Sequence, residues 1–136
     1  MSTTSKSAQT LEQRRALHAW QVIQNIKKKV PMRDKQDEES SKFGVQVKKL
    51  PTRILSAGLG PALAFLKAKK YAPELLDALT DWIKIQIPPR PQEPDDLLER
   101  IVHGDSNFLR RATDEVLAYL MWLTRFAEAE GLTDAE

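Results

Sequence analysis

The chain has 136 residues, 41% of them hydrophobic and 29% charged, which is enough to bury one modest core and argues for a single globular domain rather than two. Cysteine is absent and there are only two histidines, so disulfide frameworks, thiolate nucleophiles and multi-histidine metal centres are excluded, and a metal site would have carboxylates alone. The formal charge of +2 hides two opposed halves: residues 1–70 carry 15 Lys and Arg against 5 Asp and Glu, whereas residues 71–136 carry 6 against 14.

Residues 1–9 are polar, lack the apolar stretch of a signal peptide and are expected to form a flexible start. Thr10 and Gln13 match a capping box, and Ala16, Ala19, Trp20, Ile23, Ile26 and Val30 recur at helical steps until Pro31. Residues 31–42 (PMRDKQDEESSK) are polar and charged, which predicts an exposed loop. Phe43, Val47, Leu50, Ile54 and Ala57 mark one face of a second helix, with a kink or short break at Pro51. Gly58 suits its left-handed stop, and Pro61 suits the first position of a third helix reaching about Lys70.

Pro73 opens a fourth helix with Leu75, Leu76, Leu79, Trp82, Ile83 and Ile87 on its apolar face; Pro88 and Pro89 end it. Residues 88–94 (PPRPQEP) read as a stiff connector. Asp95 is the expected cap of a short fifth helix closed by Gly104, and Asp105 or Ser106 caps a long sixth helix that Gly131 stops. Because residues 116–123 are apolar nearly all round, this last helix should be central. Residues 132–136 are expected to be a loose acidic tail. No strand candidate emerges, and the fold class is all-α: a single-domain antiparallel bundle of about six helices spanning residues 10–131.

The longest apolar-looking run, residues 54–66, is interrupted by Gly58, Gly60 and Pro61 and falls short of the roughly 20 residues that cross a bilayer. A cytoplasmic protein without membrane contact is therefore expected. Enzyme signatures are missing as well. Gly58-Leu59-Gly60 lacks the third glycine and preceding strand of a dinucleotide site, and reads as a helix corner. His18 falls on a polar stripe with Arg14, Gln21, Asn25 and Lys28, while His103 adjoins the Gly104 stop; a structural or solvated role suits both. The pairs Asp95-Asp96 and Asp114-Glu115 are accounted for by a helix start and by Arg110 and Arg111. No catalytic residue, metal site or cofactor is assigned.

The basic residues carry the functional lead, since a strongly positive half can follow a phosphate backbone. Lys48, Lys49, Arg53, Lys67, Lys69, Lys70, Arg110 and Arg111 are the candidate phosphate contacts, followed by Lys27, Lys28 and Lys29. Aromatic residues are sparse near these clusters in the chain, so backbone contact without base stacking is the expectation. A helical DNA-binding regulator using residues 58–70 is a weaker reading, because Ala62 to Leu66 offers apolar side chains rather than base-reading ones.

Three blocks carry a resemblance: residues 11–20 (LEQRRALHAW); Lys49-Leu50-Pro51 followed by Gly58-Leu59-Gly60 and residues 62–66 (ALAFL); and Arg111-Ala112-Thr113 running into residues 117–120 (LAYL), Trp122-Leu123 and Arg125-Phe126-Ala127. In this order the chain resembles the small all-helical subunit of the type III-B (Cmr) CRISPR RNA-guided effector complex. The resemblance implies a non-catalytic subunit that stacks with further copies of itself beside the repeated backbone subunit and the large subunit. It also implies contact with target RNA paired to guide RNA, with cleavage assigned to the other subunits. The alternative is a helical protein–protein adaptor without nucleic-acid contact.

Overall fold

The computed structural model describes residues 8–29 and 34–133, with side chains at 8–28 and 42–133. Six helices follow one another: α1 (Leu11–Lys29), α2 (Asp34–Ala57), α3 (Leu59–Lys69), α4 (Pro73–Gln86), α5 (Leu97–His103) and α6 (Ser106–Ala129). There is no strand among the described residues, and the all-α single domain expected from periodicity is what the chain forms.

Local signals start and stop these helices. Thr10 and Gln13 close the capping box reciprocally: the Thr10 amide donates to Gln13 Oε1 at 2.8 Å, and the Gln13 amide donates to Thr10 Oγ1 at 3.0 Å. Pro73 occupies the first turn of α4. Asp105 caps α6 by accepting from the Phe108 amide at 2.9 Å. At the other end of α6, the Gly131 amide bonds to the Glu128 carbonyl and the Leu132 amide to the Ala127 carbonyl. With Gly131 at φ 75°, this is a Schellman stop.

Several boundaries differ from expectation. Residues 34–42 belong to the first turns of α2, whereas 31–33 lie outside the described residues. The segment lacks an apolar stripe and so reads as a loop, but Lys, Gln and Glu are good helix formers, and acids near a helix start are favoured by its dipole. α2 also runs through Pro51 without a break. Gly58 has φ 99° and ψ 159°, positive but outside the left-handed helical region, and serves as the N-cap of α3, which starts two residues before Pro61. Asp96 rather than Asp95 caps α5, accepting from the Glu99 amide at 3.1 Å. Leu132 and Thr133 are buried instead of forming a loose tail; residues 134–136, like 1–7, lie outside the described residues.

The core is one cluster to which the predicted stripes contribute: Ala19, Ile23 and Ile26 from α1; Phe43, Val47, Leu50 and Ile54 from α2; Leu75, Leu79, Trp82 and Ile83 from α4. α6 supplies Ala112, Val116, Tyr119, Leu120, Leu123 and Ala127, all fully buried, and packs against α1, α2 and α4. It is the central helix, as its all-round apolar stretch predicts. The cross-helix pairs Arg15–Glu115, His18–Tyr119 and Lys27–Glu130 advance together along both chains. α1 and α6 therefore run in the same sense, and the antiparallel pattern does not extend to this pair. Gly44 lets α2 meet the end of α6, since a Cβ there would lie 2.0 Å from the Leu132 carbonyl oxygen.

Candidate nucleic-acid interface

Helical phase sorts the basic residues of α2. At about 100° per residue, Gln46, Lys49 and Arg53 share one flank of the buried Phe43–Val47–Leu50–Ile54 stripe, and Lys48 points to the far side. Arg53 is half-buried there. Its Nη1 donates to Gln46 Oε1 at 2.6 Å, and its guanidinium carbon lies 4.6 Å over the ring of Phe65 on α3. Lys69, one turn after Phe65, places its ammonium 5.9 Å from the same ring centroid. Tyr71 approaches Phe65 edge-on at 6.1 Å.

These two rings are 38% and 37% exposed, so a cation-flanked aromatic surface faces outward where α2 meets α3. The linear reading missed it. Phe65 and Arg53 are 12 positions apart, and the corner at Gly58 brings them together; the i, i+4 spacing of Phe65 and Lys69 was the one local sign. Lys70 is exposed and ends α3 in the left-handed conformation, φ 55°.

The other candidates are dispersed. Lys67 lies on the opposite side of α3 and lines a small cavity with Thr80 and Asp96. Lys27 is paired with Glu130 at 2.6 Å. Lys28 lines an open groove of about 800 Å³ between α1 and α4, opposite Glu74, Asp77 and Asp81. The side chain of Lys29 lies outside those described. Arg110 donates to Asn107 Oδ1 at 2.9 Å in the first turns of α6, and Arg111 lines a second cavity beside α5. The structure thus brings Arg53 and Lys69 to one ring, with Lys49 one turn before Arg53 on the same flank of α2, and separates Lys27, Lys28, Lys48, Lys67, Arg110 and Arg111 from it.

A polar network lies behind α1. His18, expected on a polar stripe in a structural or solvated role, is largely buried and takes the structural one: Nδ1 meets the Tyr119 hydroxyl at 2.7 Å and Nε2 meets Asp81 Oδ2 at 2.6 Å. Tyr119 stacks on Trp82 at 5.4 Å, and Trp82 Nε1 donates to Glu115 Oε2 at 2.9 Å. Glu115 in turn receives a bidentate fork from Arg15 at 2.6 and 2.9 Å. Burial alone would raise the Glu115 carboxyl, but donation from Arg15 and Trp82 and the charge of Arg15 together hold it below the ordinary glutamate value. Burial, helped by Asp81, pushes the Tyr119 phenol well above its ordinary value. Both His18 nitrogens are engaged, so this group ties three helices together. Among the described residues, no cluster of three or more His, Asp or Glu could hold a metal ion, and no helix is long and apolar enough to cross a membrane.

Fold and surface together define a small all-α domain whose most distinctive face is basic and aromatic. A family model described as CRISPR-associated protein (Cas_Cmr5) matches residues 11–130. The chain belongs to this family and is a CRISPR-associated subunit of the Cmr complex, the type III-B assembly whose small subunit its three sequence blocks resemble.

Proposed function

We propose that this subunit is a non-catalytic, cytoplasmic RNA-contacting scaffold of the type III-B effector. It stacks with further copies beside the repeated backbone subunit and the large subunit, and steadies target RNA on the guide RNA. The observation that carries the reading is the α2–α3 surface, where Arg53 and Lys69 lie against Phe65 and Tyr71 meets the same ring. Cations next to exposed rings suit a nucleic-acid strand, because phosphates are neutralised along the chain while any base can rest on a ring face, whatever the sequence. Guide pairing would supply the sequence choice. Lys48, Lys49, Arg53, Lys67, Lys69, Lys70, Arg110 and Arg111 remain proposed phosphate contacts, Lys27 to Lys29 less so, with Lys49, Arg53 and Lys69 foremost.

The test is target-RNA binding by the reconstituted complex with Lys49, Arg53 and Lys69 all changed to Ala. Three lost contacts should flatten the log–log salt dependence by about 2, at roughly 0.7 per phosphate on a single strand, and weaken all target sequences alike. Unchanged affinity and salt slope, together with no crosslink from this subunit to RNA, would leave the protein–protein adaptor as the correct reading.

A further inference from the structure

A second cavity, of about 480 Å³, opens where the Pro-rich connector, α5 and the start of α6 meet. Three segments bring arginines to its walls, Arg90 from the connector, Arg100 from α5 and Arg111 from α6, and His103 of α5 lines it beside them. Arg100 is the unusual member. It is only 6% exposed and its guanidinium lies 4.5 Å over the Phe108 ring, yet its Nη1 has no hydrogen-bond partner. Among the described residues no carboxylate forms an ion pair with it. Glu93 and Asp95 act on it through space and offset part of the cost of burying the charge, but neither accepts a hydrogen bond from it. Burial outweighs these two carboxylates, and the described residues leave the shielded Nη1 of this guanidinium without an acceptor.

Two carboxylates line the same cavity, but each is committed to the backbone. Glu93 Oε1 accepts from the Arg90 amide at 2.9 Å, and Asp105 Oδ1 accepts from the Phe108 amide at 2.9 Å. They temper the positive charge without cancelling three arginines. We infer that this cavity is a socket for a phosphate monoester, whether borne by a free nucleotide or by the 5′ end of an RNA strand. A planar carboxylate has two oxygens and is satisfied by one guanidinium fork. A phosphate presents three acceptor oxygens and can take donors converging from the connector, α5 and α6. The volume falls within the roughly 300–1,000 Å³ of small-molecule sites, which leaves room for the group that carries the phosphate.

The inference does not rest on the RNA reading of the α2–α3 surface, because none of Lys49, Arg53, Phe65, Lys69 or Tyr71 lines this cavity. The test is calorimetric titration of the intact purified protein at low salt with adenosine 5′-monophosphate, with adenosine as control. The nucleotide should bind and adenosine should not. Arg100→Met, which keeps volume and removes the unpaired charge, should abolish nucleotide binding while thermal stability stays equal or rises. Arg100→Lys should bind at least tenfold more weakly for want of the fork. Should Arg100→Met fail to fold, Arg90→Ala, at an exposed position, should still weaken binding threefold or more with an unchanged circular dichroism spectrum. A 5′-phosphorylated RNA hexamer that binds more tightly than the mononucleotide, with its 5′-hydroxyl counterpart silent, identifies a strand end as the source; equal affinity identifies the free nucleotide. Equal binding of nucleotide and adenosine, no binding of either, or full binding by Arg100→Met would overturn the assignment.

Discussion

Glu115→Ala removes the carboxylate that joins α1, α4 and α6. In the wild type this group receives the Arg15 fork at 2.6 and 2.9 Å and the Trp82 indole at 2.9 Å, and the Arg15 and Glu115 side chains are 13% and 12% exposed. Truncation strands two donors in a site nearly closed to water. Leaving one buried polar group unsatisfied costs about 1–3 kcal/mol, and breaking a buried ion pair about 3–5 kcal/mol. These overlap, and Glu12 still reaches Arg15 at 2.9 Å from an exposed position, so the loss should be about 3 kcal/mol, near the low end of the pair value. Against a total of about 5–15 kcal/mol for a domain, the variant stays folded and its urea midpoint shifts clearly. Glu115→Gln keeps an acceptor for Trp82 and gives up the charge-assisted part, about 1.5–3 kcal/mol at most. The pH dependence supplies a second reading. Because the native Glu115 pKa is depressed, its contribution is complete above the unfolded value, near 4.3, and is lost as pH falls through the native value. Glu115→Gln should therefore have a shallower acid limb than wild type in urea titrations from about pH 5 downward. A loss below about 1 kcal/mol for Glu115→Ala, or superimposable acid limbs, would refute the account of this junction.

Gly44→Ala sets a Cβ against the Leu132 carbonyl, a backbone atom held by the Schellman turn at Gly131. Overpacking of about 3 kcal/mol, less about 1 kcal/mol gained from alanine in a helix, predicts a net loss of about 2 kcal/mol by urea denaturation; a more stable variant would contradict the close approach. Tyr119 keeps its proton in the native state at pH values where the unfolded chain, with a phenol pKa near 10, releases it. Its contribution is thus complete below the unfolded value and declines as pH rises above it. Tyrosinate absorbance of the native protein should account for at most one of the two tyrosines until circular dichroism shows unfolding, and ionisation of both in the folded state would count against this burial.

What could be read in advance was local. The Thr10–Gln13 box, Pro73 at the start of α4, the Asp105 cap and the Gly131 stop each work within a few residues through backbone groups that the chain leaves open at helix ends. The stripes on α2, α4 and α6 were legible because burial repeats with the helical period. Residues 34–42 escaped for the same reason, having good helix formers but no stripe to mark them. His18 was left between a structural and a solvated role because its neighbours in phase are polar; only the arrival of Asp81 and Tyr119 from α4 and α6 turns that side inward. The candidate interface was half legible, since the cations were visible and the rings between them were not.

The sequence by itself determined the number and approximate extent of the helices, the central place of α6 and the family, because propensity, caps and apolar period are properties of short segments. Tertiary structure alone decided which charges share a surface. It set Arg53 over Phe65 across the Gly58 corner, tied Lys27 to Glu130, and buried Arg100 over Phe108 within the acidic half of the chain. The physical reason is that a charge acts over several ångströms in every direction and depends on its solvent exposure. The net charge of each half counts these residues, whereas the packing of the helices determines what each one meets.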